Sequence, residues 1–156
     1  MGSGFSLICP HCHQRNIYSL GCGMQFYREN LMQGVGGKPP LLKSLISPSA
    51  WKQVELLRNQ GWTIPDDLQY GYRLYLCPSC GRVQERFWFL LRKGGMVWEP
   101  KFRCGACHIG LIPYIRETYE GEEHFPVPQG ITPGYLCEHC KQTFRAAELE
   151  CQIFWD

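Results

Sequence analysis

The chain predicts a small α+β fold whose cohesion comes from cysteine-bearing turns, and three observations carry that reading. Four Cys-x-x-Cys pairs, Cys9/Cys12, Cys77/Cys80, Cys104/Cys107 and Cys137/Cys140, take up eight of the ten cysteines. One stretch between the first two pairs has helical periodicity with matching start and stop residues. The segments around the other pairs alternate as strands. A Cys-x-x-Cys turn aims two thiolates at one point, and two such turns complete the tetrahedral shell that zinc prefers. The four pairs therefore read as two structural four-cysteine sites holding two Zn2+ ions. Tetrahedral sulfur also suits iron, so composition alone leaves the metal open.

Along the chain, Asn16–Leu20 is a short strand after the first pair, and Gly21-Cys22-Gly23 a tight bend. Residues 24–33 form a short helix and 34–40, rich in Gly and Pro, a loop. Residues 41–46 add a helical turn or two. The main helix follows, with Ser47 as its cap, Pro48 in its first turn and Gly61 as its stop. Trp51, Val54 and Leu57 share one face, with Leu56 beside it. This helical insertion, residues 24–66, supplies apolar mass that cysteine turns lack. From Tyr70 alternation leads into Cys77. Residues 82–92 read as one long strand, Lys93-Gly94-Gly95 as a turn, and 96–103 as the return to Cys104. Gly110–Tyr119 is strand-like, 120–124 an acidic turn, and Pro126, Pro128 and Pro133 mark an extended connector. Tyr135-Leu136 enters the fourth pair, and Phe144–Trp155 closes the chain. The whole reads as a single unit over 5–156, with a central ribbon at 70–116 and a C-terminal knuckle segment at 134–156. Met1–Gly4 reads as an expression scar.

The four pairs can join in three ways. A nested pairing, with the second joined to the third and the first to the fourth, is favoured over a sequential one, because one hairpin's length separates Cys80 from Cys104. A cross-braced pairing ranks last. Cys22 and Cys151 have no adjacent base and read as small buried hydrophobes. His11, His13, His108 and His139 read as neighbours of the metal sites rather than ligands, since each pair already supplies two thiolates; His124 reads as solvated.

Net charge is +2, but unevenly spread. Residues 1–103 carry 13 Lys/Arg against 6 Asp/Glu, and residues 104–156 carry 3 against 8. No long apolar run is present, so no membrane span is expected. With no secretory signal, the thiols read as reduced and the protein as cytoplasmic.

The knuckles Cys9-Pro10-His11-Cys12 and Cys77-Pro78-Ser79-Cys80-Gly81 resemble those of the zinc-ribbon and rubredoxin-like superfamily. More narrowly, an opening Cys-x-x-Cys, a Gly-x-Gly with Phe26, helices over 41–60, and the Cys77/Cys80 and Cys104/Cys107 ribbon resemble small uncharacterised bacterial zinc-ribbon proteins with multiple CxxC pairs. The resemblance covers most of residues 8–112. It implies zinc-ribbon β-hairpins with a helical insertion, and it implies no reaction.

Three functions follow as expectations. The first is a non-catalytic adaptor that meets a protein partner through aromatic anchors such as Trp62, Tyr72, Trp88 and Trp98. The second is single-stranded RNA or DNA binding by the hairpin 82–103, where Arg82, Arg86, Arg92, Lys93, Lys101 and Arg103 meet phosphate and the interleaved Phe87, Trp88 and Phe89 stack bases, with Trp98 also on the surface. The third, an electron-transfer or redox metal protein, ranks last, because catalytic zinc keeps an open position and four complete thiolate pairs do not. No catalytic residue is expected, and oligomeric state is not legible.

Overall fold

The computed structural model describes residues 2–22, 26–34, 36–66, 70–114, 117–119, 122–124, 135–144 and 148–152. The proline connector expected around Pro126–Pro133 lies outside them, as do Gly23 and the last residues of the closing segment.

Strands β1 (Gly2–Ile8) and β2 (Arg15–Gly21) form an antiparallel hairpin with Ile8 opposite Arg15. Residues 2–4, expected to be an appended scar, are paired inside β1. Helices α1 (Arg28–Met32), α2 (Leu42–Leu45) and α3 (Pro48–Asn59) follow. Strand β3 (Gly71–Leu76) pairs along its whole length with β4 (Val83–Trp88). Two short hairpins come next: β5 (Leu91–Lys93) with β6 (Met96–Trp98), and, after β7 (Ile112–Tyr114), β8 (Glu117–Tyr119) with β9 (Glu122–His124). A last hairpin, β10 (Tyr135–Leu136) and β11 (Thr143–Phe144), precedes β12 (Glu148–Gln152).

Among the described residues these strands build a six-stranded sheet in the order β12-β1-β2-β3-β4, with β7 also against β3. The free side of β3 is shared: Tyr72 meets Gly21 of β2, and Leu74–Leu76 meet β7. At that junction the backbones nearly touch. A Cβ on Gly71, whose φ is +150°, would sit 2.3 Å from the carbonyl carbon and oxygen of Gly21, so only glycine fits.

The main core joins the helices to the end of the ribbon. Trp51, Val54 and Leu57 of α3 are buried with Phe26, Leu31, Leu42, Ile64, Phe87, Phe89 and Leu91. The helix ends as its sequence predicts. Ser47 Oγ accepts the Ala50 N–H at 3.2 Å, and Gly61, with φ +84°, turns the chain so that Trp62 N–H reaches the Leu57 carbonyl at 3.1 Å. Leu56 lies outside this face and is exposed.

The ribbon strand also differs. The single strand expected over 82–92 is two, broken at Phe89-Leu90, and its halves belong to different sheets. Phe87, Phe89 and Leu91 all enter the core on either side of the break. Cys22 also packs against this core, half-buried, and so do Trp62, Tyr72 and Trp98. No helix among the described residues is long and apolar enough to cross a membrane.

Candidate metal centres

All four knuckles have one backbone plan. The N–H of the first cysteine donates to the carbonyl five residues on: Cys9 to Gln14, Cys77 to Arg82, Cys104 to Ile109 and Cys137 to Gln142, at 2.8–3.0 Å. The carbonyl of the same cysteine accepts from the N–H four residues on, at His13, Gly81, His108 and Lys141. That fourth residue takes a left-handed conformation each time, with φ between 56° and 67°. Three knuckles cap β-hairpins, where Ile8 faces Arg15, Leu76 faces Val83 and Leu136 faces Thr143. The other is closed by a bridge between Arg103 and Gly110.

The topology then brings the knuckles together in pairs. Cys77, Cys80, Cys104 and Cys107 converge because β7, just after the third knuckle, lies against β3, just before the second. Cys9 and Cys12 meet Cys137 and Cys140 as the tips of two hairpins, with β12 returning alongside β1. The nested arrangement is the one present.

Within each group the sulfur atoms lie within 4.8 Å of one another. Neighbouring sulfurs are 3.7 Å apart in the first site, and 3.3 Å (Cys77–Cys107) and 3.6 Å (Cys80–Cys104) apart in the second. A tetrahedron with metal–sulfur bonds of about 2.3 Å has edges of roughly 3.8 Å, so both groups could hold an ion, and the contacts are far too long for S–S bonds. In each knuckle the first cysteine is buried and the second half-buried.

The protonation pattern points the same way. At Cys104 desolvation raises the thiol pKa, but the Cys107 and Ala106 backbone N–H groups outweigh it and hold the value down at about 6. At Cys137 the Cys140 N–H leads, again to about 6 despite desolvation. Cys12 and Cys80 go the other way, to about 12. At Cys12 the Gln14 N–H favours the thiolate but is outweighed by desolvation and the neighbouring sulfurs; at Cys80 desolvation itself leads. Each group thus carries a low-pKa thiol beside one that keeps its proton until a cation replaces it.

The two centres are neighbours. Leu74, 2% exposed, packs with Cys9 and Cys137, and Val83 joins them. Leu136 N–H reaches the Gly81 carbonyl at 3.3 Å, and Arg82 Nε lies 3.7 Å from Glu138. Gln84 Nε2 donates to Cys104 Sγ at 3.1 Å, a contact sequence reading missed because nothing in one dimension places Gln84 beside Cys104. His11, His13, His108 and His139 are all exposed and in neither group. Side-chain surroundings of Cys151 and His124 lie outside the described residues.

The residues expected to form a binding surface are dispersed. Arg82 lies between the centres. Trp88 is covered by Arg73, whose guanidinium sits 3.3 Å above its ring, and its Nε1–H donates to Glu99 at 3.2 Å. Trp98 packs on Phe89, and Tyr72 packs edge-on to Phe87. Arg92 and Lys93 lie beside the end of α3, with Lys93 Nζ donating to the Gln60 carbonyl at 2.6 Å. Arg86, Lys101 and Arg103 instead converge on one cleft.

No family model, curated protein or solved structure matches this chain.

Proposed function

We propose that the chain is a non-catalytic, cytoplasmic binding module, a double zinc ribbon whose frame is set by two structural Zn2+ ions. The observation that carries this reading is the completeness of both cysteine groups. Each brings four thiols together at tetrahedral spacing from two rigid knuckles, leaving no open ligand position for water or substrate. Zinc at such a site contributes folding free energy directly. Native mass spectrometry is expected to find two zinc ions per chain. Chelation is expected to collapse the far-UV CD signal and the cooperative melt, as is Cys77→Ser for the ribbon around it. Unchanged CD and melting after complete metal removal would sink the structural reading, and visible colour from bound iron would replace it with electron transfer.

The module acts through a protein partner. The large aromatics offered by the sequence as anchors are spent on the core or on Arg73. The β5–β6 hairpin, however, presents Met96 and Val97, each 57% exposed, on consecutive positions. Methionine at an exposed tip adapts to a partner's surface. Affinity capture with the metal-loaded protein should lose its specific partner on combined Met96→Glu and Val97→Glu. A partner retained by that variant would place the interface elsewhere.

A further inference from the structure

Two clefts of similar size lie on the helical side of the molecule, and their charges differ. One, of about 570 Å³, holds Arg28, Arg58, Glu29 and Asp66, with Arg28 paired to Asp66. Its charges balance internally. The other, of about 530 Å³, is lined by Arg86, Lys101 and Arg103, by Ser47 and Ser49, and by apolar residues including Ile46 and Phe102. None of its lining residues is acidic. The two acids of the 82–103 segment are engaged elsewhere. Glu85 accepts the Ser19 N–H at 2.5 Å, and Glu99 accepts from Trp88 in a neighbouring cleft that shares Pro100, Lys101 and Phe102 with this one. The α3 end is already satisfied by Ser47, so the site rests on the three cations.

We infer that this cleft binds a nucleotide, its phosphate held by Arg86, Lys101 and Arg103 and its base or sugar against Phe102 and Ile46. Three converging cations without a carboxylate call for an anion with more than one acceptor oxygen, and phosphate fits guanidinium geometry. The apolar wall calls for a body attached to that anion, and the volume is that of a small-ligand site. The cations are also held in place. Arg86 donates to the Glu85 carbonyl at 2.9 Å and to Gln84 Oε1, and Gln84 in turn donates to Cys104 Sγ. Lys101 and Arg103 lie just before Cys104, so the second metal centre fixes the backbone that carries them. This inference is independent of the protein-partner reading.

Free nucleotides and a nucleotide within a single strand share the chemistry, and two probes separate them. The metal-loaded full chain is titrated with adenosine 5′-monophosphate by calorimetry and with a fluorescein-labelled ten-residue oligo-dT by anisotropy, at about 50 mM and about 200 mM salt. Binding of the mononucleotide assigns a small-molecule site, and binding of the oligonucleotide alone assigns a strand. In either case Lys101→Glu with Arg103→Glu is expected to weaken binding at least about tenfold and to flatten the salt dependence. Arg92→Glu, a single charge reversal on the far hairpin, is expected to leave it intact. Lys101→Gln with Arg103→Gln repeats the test with a milder change, and the cobalt-substituted thiolate spectrum confirms that the second centre is intact. Failure of both probes to bind at low salt would overturn the inference, as would equal sensitivity to Arg92→Glu.

Discussion

Four residues hold the same left-handed corner, and only one of them is the residue that geometry prefers. Gly81 occupies it in the second knuckle; His13, His108 and Lys141 occupy it in the others. A side chain there costs about 1–2 kcal/mol. Gly81→Ala is therefore expected to lower stability by about 1–2 kcal/mol, while His108→Gly should be neutral or stabilising, both read from urea melts of the metal-loaded protein. A loss on His108→Gly comparable to that of Gly81→Ala would mean that the histidine ring contributes something beyond the turn. Proton competition acts at this scale too. Cys104 and Cys137 are held at about 6, below the ordinary thiol value. The stabilisation from their thiolates is present above the unfolded thiol pKa and is lost as pH falls through about 6. Metal release should follow that direction, since protons displace the ion. A metallochromic indicator should report release as pH falls, at a pH below that of the metal-free thiols because the ion competes with protons, and release favoured by raising pH instead would contradict the assignment.

At the scale of elements, legibility tracked how local the cause was. Helix α3 was readable because its cap, its apolar face and its terminating glycine lie within fifteen residues of one another. The knuckles were readable because a Cys-x-x-Cys turn is local chemistry. Strand β1 was not: Gly2-Ser3-Gly4 has no β-forming character and is extended only because β2 and β12 pair with it. The β4–β5 break was hidden because apolar residues alternate straight through it, and the change of sheet is decided by where the helices put the core. Gly71 was equally silent, as its role depends on the crossing with Gly21. Gly71→Ala is expected to cost about 2 kcal/mol or more, because backbone rather than a flexible side chain must move. A thermal melt unchanged by that substitution would show that the β2–β3 junction bears little of the fold.

For the whole molecule, the two centres differ in the length of chain they close. Contacts across the second span 24–30 residues, and across the first 125–131. Loop-closure entropy favours the shorter by about 1 kcal/mol. Substoichiometric cobalt is thus expected to fill the Cys77/Cys80/Cys104/Cys107 centre first. Since each variant keeps one complete four-thiol centre, the order is read from affinity: Cys9→Ser should retain the tighter cobalt-binding step and Cys104→Ser only the weaker one; the opposite pattern would reverse the order. The candidate site was legible to the same degree as the fold. All eight cysteines could be named from spacing, while hairpin length favoured the nested grouping over the sequential one without deciding between them. The convergence of Arg86, Lys101 and Arg103, and their separation from Arg92 and Lys93, needed the broken strand.

The joining of the first knuckle to the last also brings together two segments made at different times. As the polypeptide emerges from the ribosome, Cys9 and Cys12 appear early and find no partners. All four cysteines of the middle pairs are made before Cys137 and Cys140, so the outer group stays half-complete until those two follow. A chain cut short anywhere before them would leave Cys9 and Cys12 without Cys137 and Cys140, and β1 without β12. An ion held by the outer group would therefore mark a chain that has reached its fourth knuckle.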